Sequence, residues 1–263
     1  LAFVFAVVGG TLFYSSLKDS ALKDAKSQCL TNVEMVRRNL TSFLSRNIKP
    51  VKALARLDPL QEALVNPGPQ TLEGANTILD IFNSSLEVGV CYLMNDQGRT
   101  VASSNRGTAD SFVDQNFSFR PYFQKAIQGD PHAYLALGVI SKKRGVYYSH
   151  PVYGPEREKP VGVVVIKASI EYVEQHFLAP MRGIVLIQDP DGVIFISSRE
   201  KWLYQTVQKL KPETRQEIHD SLQFGSGDLV WSGLKVDQGV ATDSQNRNYL
   251  VYERDINNFP GWK

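Results

Sequence analysis

From Thr11 to Lys49 the chain has neither proline nor glycine, and its apolar residues return every three or four positions. Leu22, Ala25, Cys29, Val33, Val36, Leu40 and Phe43 form one stripe, which Ile48, Val51 and Leu54 extend. This is the spacing of one face of an α-helix, with Lys26, Gln28, Arg37 and Arg38 on the other faces. A helix from Ser15 to Leu57 is about 65 Å long, and residues 15–58 are assigned to such a stalk. Its near-heptad stripe suits pairing with a second copy as well as packing on the chain's own body. Cys29 on the stripe is read as a small core residue. Before it, Leu1–Tyr14 (LAFVFAVVGGTLFY) carries no charge. As a helix this segment covers only ~21 Å of a hydrocarbon core about 30 Å thick. Residues 1–14 are therefore read as the C-terminal end of a transmembrane helix. No basic segment precedes them and no small-residue cleavage site follows, as a signal peptide would require.

Beyond the stalk the pattern changes. Asn66-Pro67-Gly68-Pro69 marks a loop, and a helical pattern runs on through Leu79 and Phe82. Val88–Ser104 consists of two apolar runs around Asn95-Asp96-Gln97-Gly98, a hairpin signature. In Asn116–Gly129, Pro121 suits a first helical turn and Gly129 a C-terminal cap. Strand-like runs follow at His132–Ile140, Gly145–Val152 and Val161–Ala168. The second half repeats this order. Ile184–Gln188 and Val193–Ser197 flank Asp189-Pro190-Asp191-Gly192; a helix is expected over Pro212–Leu222, and strands near Leu229–Trp231 and over Asn248–Arg254. A last strand is expected to begin at Phe259–Lys263. The fold class is α+β: a long N-terminal helix with two tandem modules, each an antiparallel sheet flanked by helices, at residues 59–180 and 181–263.

The 29 basic and 27 acidic residues leave a net charge of +2, and no arginine-rich block is present, so nucleic acid is not an expected partner. At 43% hydrophobic and 21% charged residues the chain is an ordinary globular one. Two cysteines, Cys29 and Cys91, make no disulfide framework, and the four histidines have no metal-ligand spacing. Catalysis is not expected either. Ser149 and His150 are strand neighbours and point to opposite faces, Gly225-Ser226-Gly227 reads as a turn, and neither a GxSxG elbow nor a nucleotide loop occurs. The region reads as a binding module with no catalytic residue, cofactor or metal.

Three blocks narrow the reading: FSFRPYFQKAIQG (Phe117–Gly129), YLALGVISKKRGVYYSHPV (Tyr134–Val152) and GVVVIKAS (Gly162–Ser169). In that order, behind a stalk helix, they resemble the double Cache sensor, a tandem of PAS-like modules, and within it the extracytoplasmic sensors of four-carbon dicarboxylate sensor histidine kinases. The resemblance covers nearly the whole chain. It implies a small carboxylate ligand in the membrane-distal module and a proximal module without a recognised ligand. It also implies an inner-membrane location with this region periplasmic, a homodimer through the stalk, and a cytoplasmic kinase acting on a response regulator. The alternative is the sensor of a chemotaxis receptor or cyclic-dinucleotide enzyme that binds an amino acid or monocarboxylate.

On this resemblance Arg120, at the start of the Pro121 helix, grips a carboxylate with two parallel hydrogen bonds, aided by the free N–H groups of the helix start. Tyr122 supplies a phenol. Alternation places Lys167 on the face of Val163 and Val165. In amino-acid-binding relatives the strand resembles GVVGVDI, whose acid meets the ligand ammonium. Lysine at that position repels an amine and attracts a second carboxylate. Tyr147 and Ser149 share a face and are assigned as donors, with Tyr134 on the neighbouring strand. Ser118 and Ser141 are secondary candidates. Lys142, Lys143 and Arg144 read as a solvated turn, and Arg182 is given no role.

Overall fold

The N-terminal stripe folds as α1 (Ala2–Ser45), about 66 Å long, and its second half packs on the body through Val36, Leu40, Phe43 and Leu44. The computed structural model describes residues 2–263 except Arg157, Pro180 and Arg182, with side chains from Val8 onward. Leu1, Arg182 and the Pro180 end expected for the first module thus lie outside the described residues. Among the described residues, no helix is long and apolar enough to cross a membrane. The stalk differs from the single helix expected to Leu57. It breaks at Arg46–Asn47 and restarts as α2 (Ile48–Leu54). Pro50 explains the break, because it has no N–H to offer the Arg46 carbonyl. A separate helix, α3 (Asp58–Val65), with Pro59 in its first turn, precedes the Asn66–Gly68 loop, and α4 (Pro69–Leu86) follows it.

The first sheet contains β1 (Val90–Asn95), β2 (Thr100–Ser103), β3 (His132–Leu137), β4 (Arg144–Tyr153) and β5 (Pro160–Ser169), all antiparallel, in the order β2-β1-β5-β4-β3. In the β1–β2 turn the Asn95 side chain accepts from the N–H groups of Gln97 and Arg99. Gly98 has φ of 77°, and a Cβ there would lie 2.7 Å from Ser118, so glycine is required. One sheet face, with Cys91, Leu93, Val164 and Ile166, packs against α1–α4. The other carries Tyr92, Met94, Val163, Val165, Tyr147 and Tyr134, and is covered by α5 (Pro121–Ile127) and the 104–120 segment. Burial on both faces explains why Val163–Ile166 is continuously apolar.

The second half holds α6 (Glu171–Val173), which widens into a π-turn over Glu174–Leu178, the hairpin β6 (Leu186–Gln188) and β7 (Ile194–Ser197), and α7 (Pro212–Ser221). A three-stranded sheet follows: β8 (Lys235–Asp237), β9 (Val240–Thr242) and β10 (Asn248–Leu250). The strand expected near Leu229–Trp231 is reduced to a single bridge from Trp231 to Thr206. The expected 248–254 strand stops at Leu250. Lys263 exchanges both main-chain hydrogen bonds with Gln188, at 2.9 and 3.1 Å.

Candidate functional site

Arg120 is the N-cap of α5, with extended backbone that turns its side chain back under the helix. It is 1% exposed. Its guanidinium donates to Leu137 O at 2.8 Å and to Ser221 O and Leu222 O at 3.2 and 3.1 Å. Ser221 ends α7 in the second half and Leu222 caps it, where helix carbonyls lack intrahelical partners; Leu222 O also accepts from Gly225 N at 3.2 Å. The first-half edge strand is tied to the same place, since Leu137 N donates to Gln223 O and the Gln223 amide to Leu135 O.

Lys167 lies opposite Tyr147 on β4 and Val90 on β1, and Tyr147 lies opposite Tyr134 on β3. Antiparallel register therefore puts Tyr134, Tyr147 and Lys167 in one row on the face covered by α5. The Lys167 ammonium donates to Ser141 Oγ at 2.5 Å and lies over the rings of Phe112 and Tyr147. Burial pulls its pKa down to about 8; Asp110, on the exposed covering segment, acts the other way, and Arg120 and Lys143 add to the lowering. Gly138 marks the meeting point. A Cβ there would sit 2.5 Å from Ser141 Oγ, 2.9 Å from Lys167 Nζ and 3.0 Å from the Tyr147 hydroxyl. The two cationic tips thus flank the Leu137–Gly138 peptide, and among the described residues neither pairs with a carboxylate.

Tyr122 stacks on Tyr147 with centroids 5.1 Å apart, and accepts a 2.8 Å hydrogen bond from the Tyr92 hydroxyl. Desolvation raises the Tyr122 phenol to about 12, which keeps it neutral and able to donate. The Tyr134 hydroxyl approaches Arg120 and Ser221 but completes a hydrogen bond with neither. Ser149 is differently placed from the donor expected of it: its hydroxyl is shared between Tyr122 O and His132 O, at 2.8 and 3.0 Å. Of the secondary candidates, Ser141 touches Lys167, whereas Ser118 is exposed in the turn beside Gly98. Five of the six primary candidates, Ser149 apart, surround one aromatic-lined spot. Sequence reasoning did not find Tyr92, Phe112 or Gly138 there. The sequence signal for Gly138 is a glycine inside the strand-like run His132–Ile140, where β3 in fact stops at Leu137. No three His, Cys, Asp or Glu side chains among the described residues are grouped to hold a metal ion.

A long N-terminal helix leading PAS-like, antiparallel sheets with flanking helices is the architecture of a Cache sensor domain. The chain belongs to the Cache domain family, whose model matches residues 13–263. It is 35% identical over 187 residues to the C4-dicarboxylate transport sensor protein DctB of Pseudomonas aeruginosa, 71% of this chain and 30% of that protein. With the protein of the same name from Rhizobium meliloti it shares 29% identity over 234 residues, 86% of this chain and 37% of that one. The chain therefore spans about a third of the length of these relatives. The crystal structure of the V. cholerae histidine kinase DctB sensor domain matches with a TM-score of 0.77 at 25% identity, over 88% of this chain and 91% of that one. The ligand-binding domain of the Campylobacter jejuni chemoreceptor Tlp3 with L-valine, at TM-score 0.54 and 20% identity over 72% of this chain and 75% of that one, shares the fold alone.

Proposed function

We propose that this chain is the extracytoplasmic sensor of a membrane two-component histidine kinase. Residues 59–180 form the membrane-distal module that binds a four-carbon dicarboxylate, and residues 181–263 the proximal module. Residues 1–14 end a transmembrane helix. The observation that carries the reading is the pair Arg120 and Lys167: two buried cations, neighbours across the Leu137–Gly138 peptide, neither of them paired with a carboxylate among the described residues. A buried charge lacking a counter-ion is costly, and a dianion relieves both charges at once. The names of the relatives point to the same ligand class. A chemoreceptor-type amine ligand is disfavoured by the Lys167 ammonium.

The contacts of Arg120 supply a route for the signal. Its fork is held by three neutral carbonyls, two of them at the C-terminal end of α7. A ligand carboxylate competes with those carbonyls by charge-assisted bonds, roughly twice as strong as neutral ones. Binding shifts the population towards a state in which α7 and the distal module are uncoupled. Leu22 and Ala25, on the apolar stripe of α1, are exposed. They suit pairing with a second copy, through which the shift reaches the membrane, the kinase and its response regulator.

Calorimetry with succinate, fumarate and malate, set against acetate, butanoate and alanine, tests the reading. Diacids bind and the others bind at least tenfold more weakly, and Lys167→Gln loses diacid binding with its circular dichroism unchanged. Indifference to every acid, or a preference for alanine, defeats it.

A further inference from the structure

A second site stands apart from the diacid reading, at the seam of the two halves. A cleft of about 760 Å³ runs between the edge strand β3 and the β6–β7 turn, and neither Arg120 nor Lys167 lines it. Clefts at module boundaries are common ligand sites.

Asp189, in its wall, is 3% exposed. Its Oδ1 accepts from the N–H groups of Asp191 and Val193, at 3.0 and 2.7 Å. Asn95 makes the same two bonds, to the residues two and four further on, in the matching turn of the first half. The turn therefore needs one amide-type oxygen and no charge. Both Asp189 side-chain bonds fall on Oδ1, with the Gly192 N–H acting on the carboxyl as well, and among the described residues no cation pairs with Oδ2. Burial raises the Asp189 pKa to about 7. The histidines that line the cleft do not supply the missing cation: desolvation lowers His132 to about 4 and pulls His150 down as well. The ring of Tyr134 also lines the cleft, and Trp262 forms an aromatic wall. On the rim stand two exposed lysines, Lys125 beside His132 and Lys52 beside His150.

We infer that this cleft binds a small zwitterion, with an ammonium on Asp189 and a carboxylate turned to the Lys52 and Lys125 rim. An ammonium supplies the charge-assisted partner that Oδ2 lacks, and an aromatic wall favours a cation beside it. The rim lysines repel a plain amine and admit one that carries an anion.

The test titrates the protein, saturated with succinate, with glycine, β-alanine, 4-aminobutanoate and 6-aminohexanoate, using butylamine and butanoate as single-charge controls. Calorimetry and tryptophan fluorescence report binding. At least one aminocarboxylate binds saturably, the controls bind at least tenfold more weakly, and Asp189→Asn weakens binding at least tenfold while raising thermal stability. Asparagine preserves the turn, as Asn95 shows, so a folding defect does not confuse the result. The inference is overturned by any of four outcomes: no saturable binding, butylamine binding as tightly, full binding by Asp189→Asn, or competition with succinate, which places the ligand in the other site.

Discussion

Arg120, at the start of the first module's short helix, donates a 3.1 Å hydrogen bond to the carbonyl of Leu222, just past the end of α7 in the second. The side chain proposed to grip the ligand is thus also a fastener between modules. Replacing it with lysine keeps the charge and loses the planar fork, leaving the carbonyls of Leu137 and Ser221 short of a donor, while Leu222 O keeps its bond from Gly225 N. Urea denaturation is expected to show Arg120→Lys destabilised by about 2 kcal/mol, from the cost of buried acceptors left unpaired.

Lys167 carries the opposite signature. As a buried cation without a counter-ion it costs stability in the free protein, so Lys167→Met is expected to stabilise by about 1 kcal/mol in the same assay. Diacid binding is lost at the same time. A substitution that strengthens the fold and abolishes binding marks a group kept for its ligand.

The pH dependence follows from the same group. In the folded, ligand-free protein Lys167 has a pKa lowered to about 8 from the ordinary 10.5. The unfolded chain therefore holds this proton to higher pH, and the lysine's penalty on stability is present below about 8 and is relieved as pH rises towards 10.5. Ligand affinity runs the other way, because a carboxylate needs the ammonium. Calorimetric affinity for succinate is expected to fall above pH 8, by at most about tenfold per pH unit.

At Gly138 a methyl group has no room, with Lys167 Nζ at 2.9 Å and the Tyr147 hydroxyl at 3.0 Å from its Cβ position. Gly138→Ala is expected to push the ammonium aside and weaken succinate at least tenfold, while the thermal melt moves by only a few degrees, since flexible side-chain ends give way.

Asp189→Asn separates charge from turn geometry. The folded carboxyl titrates near 7, above the ordinary 3.8, so the wild type loses stability as pH rises between those values. Thermal melts are expected to show Asp189→Asn more stable than wild type at pH 8 and equal to it near pH 4.

Much of the architecture was legible because it is written in local period. The strand-like run Gly145–Val152, the turn chemistry of Asn95–Gly98 and Pro121 at a helix start all lie within a few residues of the features they set. Face, too, was legible: Tyr147 and Lys167 do share one side of the sheet. Register was not, because alternation cannot say that Tyr147 stands opposite Lys167. The partners of Arg120 lie 101 and 102 residues away, beyond any motif. The β8–β9 hairpin escaped notice because all three residues of Lys235–Asp237 face water and leave no hydrophobic pattern. Its signal is the Gln238-Gly239 turn, with both φ angles positive as a type I′ turn requires. At Leu229–Trp231 an apolar run resembles a strand, yet only one bridge forms.

A crystal structure of the protein with succinate bound addresses the central claim directly. The account predicts one carboxylate on the Arg120 guanidinium and the other on Lys167 Nζ, with the bonds from Arg120 to Ser221 and Leu222 lengthened or broken. Succinate lodged elsewhere, or held with Lys167 turned away from it, would contradict the account.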